Sequence, residues 1–368
     1  MRLLQITASV VWRGHEQQIE YYYDDFKARG IHQVLMCPTN NKELVKIAQK
    51  KNYNLVTLDF KSEYDLKWIK AIKTVIKKEN ISLILIHSGN AQTLCVIASI
   101  LSRKKTPMVF FRTLIRKIDS NPLKKFKYNY KHIRKIICVS QAVVDIIKPN
   151  IKDPTRLSIV GSCTEMHNQL IPGKTGALLE ELNLSPNTKI IANISAFVPF
   201  KDHYTFVKAA KIINGSMNNL AFILIGIGEK EDEIKAYVNE QGLSDVFHFL
   251  GFRTDIPLLF PEFDLFMFTS KLEPTGGVLL EAYSAHVPIV ATNFAGIPEV
   301  VIDNVTGLLA EKENPQDFAT KAINVLNDEI LKEKLVKAGK KRLLENFTKD
   351  IITDKMYEEL NLVAKKFS

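Results

Sequence analysis

Two apolar runs, Leu265–Phe268 and Ile289–Thr292, are too short for helices and are bounded by polar or Gly/Pro-bearing segments. Between them lie a polar loop with Pro274, Gly276 and Gly277, then Val278, Leu279, Leu280, Ala282, Tyr283 and Ala285, which read as a buried helix. Two wholly apolar strands joined through a helix belong to a parallel sheet covered on both faces, since neither face can be left to water. The stretch 264–301 therefore predicts an α/β fold, and the rest of the chain has to be compatible with it.

The same alternation runs almost end to end. Strands are expected at 3–8, 33–37, 54–58, 83–87, 108–112, 136–139 and 157–160, with helices between them such as 17–29, closed by Gly30, and 141–147, capped by Ser140. The segment 149–188, rich in Pro, Gly, Asn and Lys, interrupts the pattern with a linker and a short helix at 175–184. A second series follows, with strands at 189–194, 221–225 and 246–250, the central unit, a strand at 307–309, and helices at 315–326, 330–346 and 348–367. A chain of 368 residues exceeds the size at which one core keeps growing. Two doubly wound parallel-sheet domains are expected, over 1–170 and 171–346, with 347–368 as a terminal helix.

Composition narrows the setting. Hydrophobic residues at 46% and charged residues at 24% are ordinary for a globular chain. No apolar run approaches the roughly 20 residues that span a bilayer. The opening run 3–12 contains Gln5 and Thr7 and reads as a first core strand, not a signal peptide. Cys37, Cys95, Cys138 and Cys163 are scattered without a C-x-x-C, which points to reduced thiols in a cytoplasmic protein. The net charge of +10 is concentrated in 103–135, where many Lys and Arg residues face only Asp119. An anionic substrate, an anionic membrane surface and nucleic acid are the candidate partners for such a run, against a plainly solvated basic face.

Ligands of open parallel sheets sit beyond the carboxyl ends of strands, and the loops there carry the chemistry. Glu273 lies in the loop after 265–268, and Glu281 follows eight residues later on the helix. Between them Gly276 and Gly277 leave backbone N–H groups open at a helix N-terminus, a seat for phosphate. Carboxylates beside such a seat suit a ligand with hydroxyl groups. Lys201, in NISAFVPFKDHYTF, lies in the loop after another strand, where a plain surface lysine is the alternative to a ligand contact. Gly226-Ile227-Gly228 fails the dinucleotide fingerprint because position 231 is Glu, and reads from the residues alone as a tight turn. No metal-ligand spacing is present: there is no D-x-D in a suitable loop and no H-E-x-x-H.

The spacing Glu-x7-Glu in EPTGGVLLE, with glycines between and a Pro-led strand after the helix, resembles the donor-site signature of retaining GT-B glycosyltransferases of family 4. The resemblance covers nearly the whole chain and is strongest over 193–301. It implies two Rossmann-like domains facing a cleft, a C-terminal helix crossing back to the first domain, and metal-independent sugar transfer from a UDP- or GDP-sugar with retention. On the family pattern, Glu273 and the backbone of Thr275, Gly276, Gly277 and Val278 hold the sugar, Glu281 the ribose and Lys201 the diphosphate. Gly226 lies close to the phosphates, and Arg253 in GFRTD close to the base. Gly14 and His15 stand where the family has two glycines near the donor, and Ala196 lies where many members have an Arg. His87 and Ser88 are expected on the acceptor side with Arg116 and Lys117, the last standing in for a family His that is not evident here.

The implied acceptor is a glycan or glycolipid of lipopolysaccharide or other surface-polysaccharide synthesis, handled in the cytoplasm or peripherally at the inner membrane face. No cofactor and no nucleic acid are expected. A GT-B nucleotide-sugar epimerase shares fold and ligand and is separated by product analysis without acceptor. A basic nucleic-acid or lipid binder is the other alternative, although the basic run lacks the interleaved aromatic platforms of single-strand binders.

Overall fold

The structure, a computed structural model, describes residues 1–11, 14–118, 121–164 and 173–367, the side chains of 14 and 15 excepted. It divides into two compact units: Met1–Cys163 with Lys349–Ser368, and Thr164–Thr348. The domain boundary expected at 170/171 lies outside the described residues.

The first unit alternates strand and helix: β1 (Arg2–Ile6), α1 (Gly14–Ala28), β2 (His32–Pro38), α2 (Lys42–Lys50), β3 (Leu55–Leu58), α3 (Leu66–Lys78), β4 (Leu83–Ile86), α4 (Gly89–Ile100), β5 (Met108–Arg112), α5 (Pro122–Asn129), β6 (Ile133–Cys138), α6 (Gln141–Ile147) and β7 (Leu157–Ile159). All pairings are parallel, in the order β3-β2-β1-β4-β5-β6-β7. β4 is buried at every position, as a strand covered on both faces must be.

The second unit holds α7 (Ala177–Glu181), β8 (Lys189–Ile194), α8 (His203–Asn214), β9 (Leu220–Ile225), α9 (Glu231–Glu240), β10 (Phe247–Phe249), α10 (Ile256–Leu259), β11 (Leu265–Phe268), α11 (Gly277–Ser284), β12 (Ile289–Thr292), α12 (Ile297–Val300), β13 (Leu308–Ala310), α13 (Pro315–Asn327) and α14 (Glu329–Asn346). Its sheet is parallel with the order β10-β9-β8-β11-β12-β13. Strand period decides where each residue goes. Leu265 and Met267 enter one core with Phe206, Phe222 and Phe318, while Phe266 and Phe268 enter another with Leu279, Leu280 and Tyr283. The two expected parallel-sheet domains are thus both present.

Boundaries moved where capping decides them. The helix expected from about 62 starts at Leu66, because the Asp65 side chain accepts the Lys67 N–H at 2.8 Å. α5 lies inside the basic run, where no helix was expected. Asn121 caps it, Pro122 occupies its first turn, and among its residues Tyr128 is the buried one. The four cysteines are buried thiols outside any disulfide. Burial pushes the Cys37 and Cys138 thiols up to about 12, far from reactivity near neutral pH.

α15 (Lys349–Phe367) returns to the first unit. Ile352, Met356, Leu360 and Val363 recur at helical spacing and join Tyr22 and Phe26 in that unit's core. Arg29 bonds Asp25 and Asp354 and lies over the Tyr357 ring at 4.7 Å, fixing α15 against α1. Met356 is fully buried. Met356→Ala is expected to lower the stability of this unit by about 2–5 kcal/mol in urea denaturation.

Candidate functional site

In each sheet the strand order reverses once, between β1 and β4 and between β8 and β11. Loops leaving neighbouring strands at such a point turn to opposite faces and open a crevice at the carboxyl ends. In the second unit the flanking loops are those after β8 and after β11, and they carry Lys201 and Glu273.

The two side chains form an ion pair, Lys201 Nζ to Glu273 Oε2, with each side chain about one-sixth exposed or less (16% and 14%). Lys201 also stands 5.0 Å from the centre of the Phe268 ring. The loops are stitched together beneath the pair. Thr269 Oγ1 donates to the Asp202 carbonyl at 3.0 Å, Ser270 Oγ to the Phe200 carbonyl at 3.2 Å, and Lys271 N–H to the same carbonyl at 2.7 Å. Asp202, in the left-handed region at φ 52°, caps α8 through the Thr205 N–H and hydroxyl. A second chain of bonds runs below. His203 Nε2 donates to Ser195 Oγ at 3.0 Å, Ser195 Oγ donates to Asn193 Oδ1 at 2.8 Å, and Asn193 Nδ2 donates to the Met267 carbonyl at 2.8 Å. Burial first, and Lys201 second, lower the His203 pKa to about 4, so the ring is neutral near pH 7.

The loop after β11 ends at Gly276, whose φ of +76° is a left-handed conformation, and α11 begins at Gly277 with its N–H groups uncovered by any side-chain cap. The loop after β12 presses against it. A side chain at Gly296 would meet the Pro274 carbonyl oxygen at 1.7 Å, and the Gly296 N–H donates to the Glu273 carbonyl at 3.0 Å. Val278 and Glu281 follow on α11, Val278 half-buried and Thr275 buried. Among the described residues no hydrogen-bond donor is recorded on the Glu281 carboxylate, and burial pushes its pKa up to about 7.

Gly226 proves to be a packing requirement. At φ +144° its missing side chain makes room for the Ser195 carbonyl, which a Cβ would meet at 2.1 Å, and Gly228 makes similar room for Phe197. The loops after β8 and β9 are thereby held in contact. Arg253 is engaged on its own loop, its guanidinium bonded to Asp255 at 2.8 and 2.6 Å and to Glu181 at 2.6 Å. Its neighbour Phe252 is the exposed one, at 71%, and Phe200, Ile227 and Phe294 stand exposed on the loops after β8, β9 and β12. These apolar tips escaped the sequence reading, although a large apolar residue directly after Gly251 or Gly226 was a signal for them.

The first-unit candidates fare differently. Gly14 opens α1, and the side chain of His15 lies outside the described residues. His87 is buried, its Nε2 donating to Gln5 Oε1 at 2.9 Å; Gln5 in turn donates to Gln33 at 2.8 Å. It stacks near Tyr22 and stands edge-on to Phe111. Ser88 caps α4 and accepts the Ala8 N–H at 2.8 Å, tying the loops at this sheet's own reversal. Arg116 and Lys117 are exposed on the loop after β5, and the Arg116 carbonyl accepts from Arg112. Lys201, Glu273, Ser270 and the α11 N-terminus are brought together; Arg253, His87 and Ser88 have structural partners of their own.

A carboxyl whose folded pKa near 7 exceeds its unfolded value binds more protons when folded, so its unfavourable contribution grows as pH rises from about 4.5 to 7 and is constant above. Glu281→Gln removes that dependence. Its melting temperature is expected to rise relative to wild type between pH 5 and pH 8 in thermal unfolding, and an unchanged difference would contradict the burial described here.

Residues 176–342 match the family described as glycosyl transferases group 1. The chain is 26% identical over 307 residues to N-acetyl-alpha-D-glucosaminyl L-malate synthase of Bacillus anthracis, covering 81% of this chain and 78% of that one. It is 26% identical over 280 residues to the UDP-Gal:alpha-D-GlcNAc-diphosphoundecaprenol alpha-1,3-galactosyltransferase of Escherichia coli, covering 73% and 72%. Among solved structures, Anabaena HepE in complex with UDP-glucose superposes with a TM-score of 0.84 at 19% identity, over 98% of this chain and 99% of that one. The chain therefore has the fold of two parallel-sheet Rossmann-like domains seen in GT-B glycosyltransferase structures, and the match to glycosyl transferases group 1 lies within its second unit.

Proposed function

We propose that this chain is a retaining, metal-independent glycosyltransferase that takes a sugar from a nucleoside diphosphate sugar bound on the second unit. The observation that carries the reading is the Lys201–Glu273 pair at the sheet's reversal, beside the open N-terminus of α11. Lys201 and the α11 N–H groups meet the growing charge of the diphosphate. Glu273 and the backbone of Thr275–Val278 bind the sugar hydroxyls, and Glu281 accepts from the ribose. Phe252 and the Arg253 backbone are offered to the base. The bond from the anomeric carbon to the phosphate oxygen breaks, with its electron pair leaving on the diphosphate. The acceptor oxygen bonds on the same face and gives its proton to that phosphate oxygen. No protein nucleophile is assigned. The E. coli relative is named for UDP-Gal and the HepE structure holds UDP-glucose, which favours UDP.

The acceptor is proposed to be a glycan or glycolipid of surface-polysaccharide synthesis, as the lipid-linked substrate of the E. coli relative suggests. Among the described residues no helix is long and apolar enough to cross a membrane. α5 offers a peripheral contact instead: Leu123 and Phe126 are 71% and 50% exposed, with Lys125 exposed beside them and Leu114 51% exposed on the preceding loop.

Titration calorimetry with UDP, GDP and ADP, with and without EDTA, tests the donor site. UDP is expected to bind selectively and indifferently to EDTA. Lys201→Ala and Glu281→Ala should each weaken it by about 10–100-fold, the loss of one or two charge-assisted hydrogen bonds. No binding of any diphosphate would remove the reading. For the surface, Leu123→Ser/Phe126→Ser should reduce co-sedimentation with anionic vesicles severalfold while leaving UDP binding intact; vesicle binding that ignores anionic lipid would exclude the membrane contact.

A further inference from the structure

Arg112 ends β5 at the carboxyl edge of the first sheet and is 6% exposed. Among the described residues its guanidinium makes one hydrogen bond, Nη2 to the Arg116 carbonyl at 2.8 Å; its Nε finds no partner, and no carboxylate pairs with it. It lies 5.7 Å from the centre of the Tyr128 ring. A buried cation without a counter-ion is costly, and folds keep such groups paired unless something else supplies the charge.

Its surroundings add positive charge. In the β4–β5 register Ile86 faces Phe110, which brings Ser88 and Gly89, at the start of α4, level with Arg112. The Lys127 ammonium, 16% exposed, is held over the same turn, donating to the Gly89 carbonyl at 3.1 Å and to Thr93 Oγ1 at 3.0 Å. Glu63 is the nearby carboxylate, 3.8 Å from Lys127 and hydrogen-bonded by Thr93. Burial lowers the Lys127 pKa; Glu63 opposes this, while Arg112 and Lys124 add to it, so these cations share one local field. In the first turn of α4, Gln92 is fully buried and its Oε1 has no partner. Arg116 and Lys117 stand out in the sequence of this region; Arg112 and the largely covered Lys127 do not, because a strand-ending Arg and a mid-helix Lys look like any others in a basic run.

We propose that Arg112, with Lys127 and the N-terminal turn of α4, forms an anion subsite that binds a phosphate ester of the acceptor. This deepens the glycosyltransferase reading and rests on it for the word acceptor, while the subsite itself rests on the first unit alone. The guanidinium offers its unused N–H donors in the planar fork that fits phosphate, Lys127 a point charge, and the helix its dipole. The phosphate can come from a lipid-linked diphosphate or from a soluble sugar or polyol phosphate.

The test is titration of the full chain with geranyl diphosphate and with glycerol 1-phosphate, geraniol and glycerol serving as uncharged controls. Each is run with saturating UDP, so that the donor site is filled, and again without nucleotide. Wild type is expected to bind one ester in the presence of UDP and neither alcohol; geranyl diphosphate alone would mark a lipid-linked source, and glycerol 1-phosphate a soluble one. Arg112→Gln should weaken that binding by about tenfold or more and Arg112→Lys by less, both with wild-type affinity for UDP. Arg112→Lys keeps the charge and decides the matter if the Gln variant does not fold. Wild-type ester binding in a folded variant, or no ester binding by a wild type that binds UDP, overturns the subsite. Failure of wild type to bind UDP instead sinks the donor reading, and the nucleotide-free ester titration still decides Arg112.

Discussion

The constraint on which the rest depends is that each parallel sheet has one place where its strand order reverses. Parallel strands need crossovers, crossovers are right-handed, and the first strand of each sheet therefore sits in the middle with connections departing to both faces. A loop on one side of the reversal and a loop on the other are the nearest neighbours that the connectivity does not itself join. In the second unit that geometry brings together two residues far apart in sequence, Lys201 and Glu273. The surrounding bonds hold the loops in a single geometry, from Thr269 and Ser270 upward and from Gly296 and Gly226 sideways. Loops tied in this way hold the two side chains in place without any ligand.

Much of this was legible in the sequence because the strands are buried on both faces. Runs such as LILI at 83–86 and LFMF at 265–268 read as buried strands because they are short, wholly apolar and bounded by polar segments. Helix positions followed from capping residues, and errors arose where a cap was misjudged, as at Asp65, or where basic residues masked a short helix, as in α5. The loop positions of Lys201 and Glu273 were legible because the strands that lead into them are. The network under them was not: Asn193, Ser195 and His203 are ordinary polar residues until their hydrogen bonds are seen.

Three candidates have structural partners of their own, and for a shared physical cause. His87, Ser88 and Arg253 are polar residues at strand ends, which is where ligands go, but strand ends also need caps, tethers and counter-ions. His87 satisfies Gln5, Ser88 caps α4, and Arg253 holds Glu181 and Asp255. Sequence alone cannot tell a side chain that serves the loop from one that serves a ligand. A buried hydrogen-bonding group left without a partner, as at the Arg112 Nε, is a sign that only the structure supplies.

The chain leaves the first unit after Cys163 and re-enters it at Lys349. These crossings are side by side, because Thr164 bridges to Thr348 and its N–H donates to the Phe347 carbonyl. In terms of gene architecture the second unit is an insertion whose two ends meet, the arrangement that lets a segment be exchanged between chains without a long linker. The second unit could thus be traded as one piece while the sheet and closing helix of the first unit stayed intact, leaving the two units free to diverge separately.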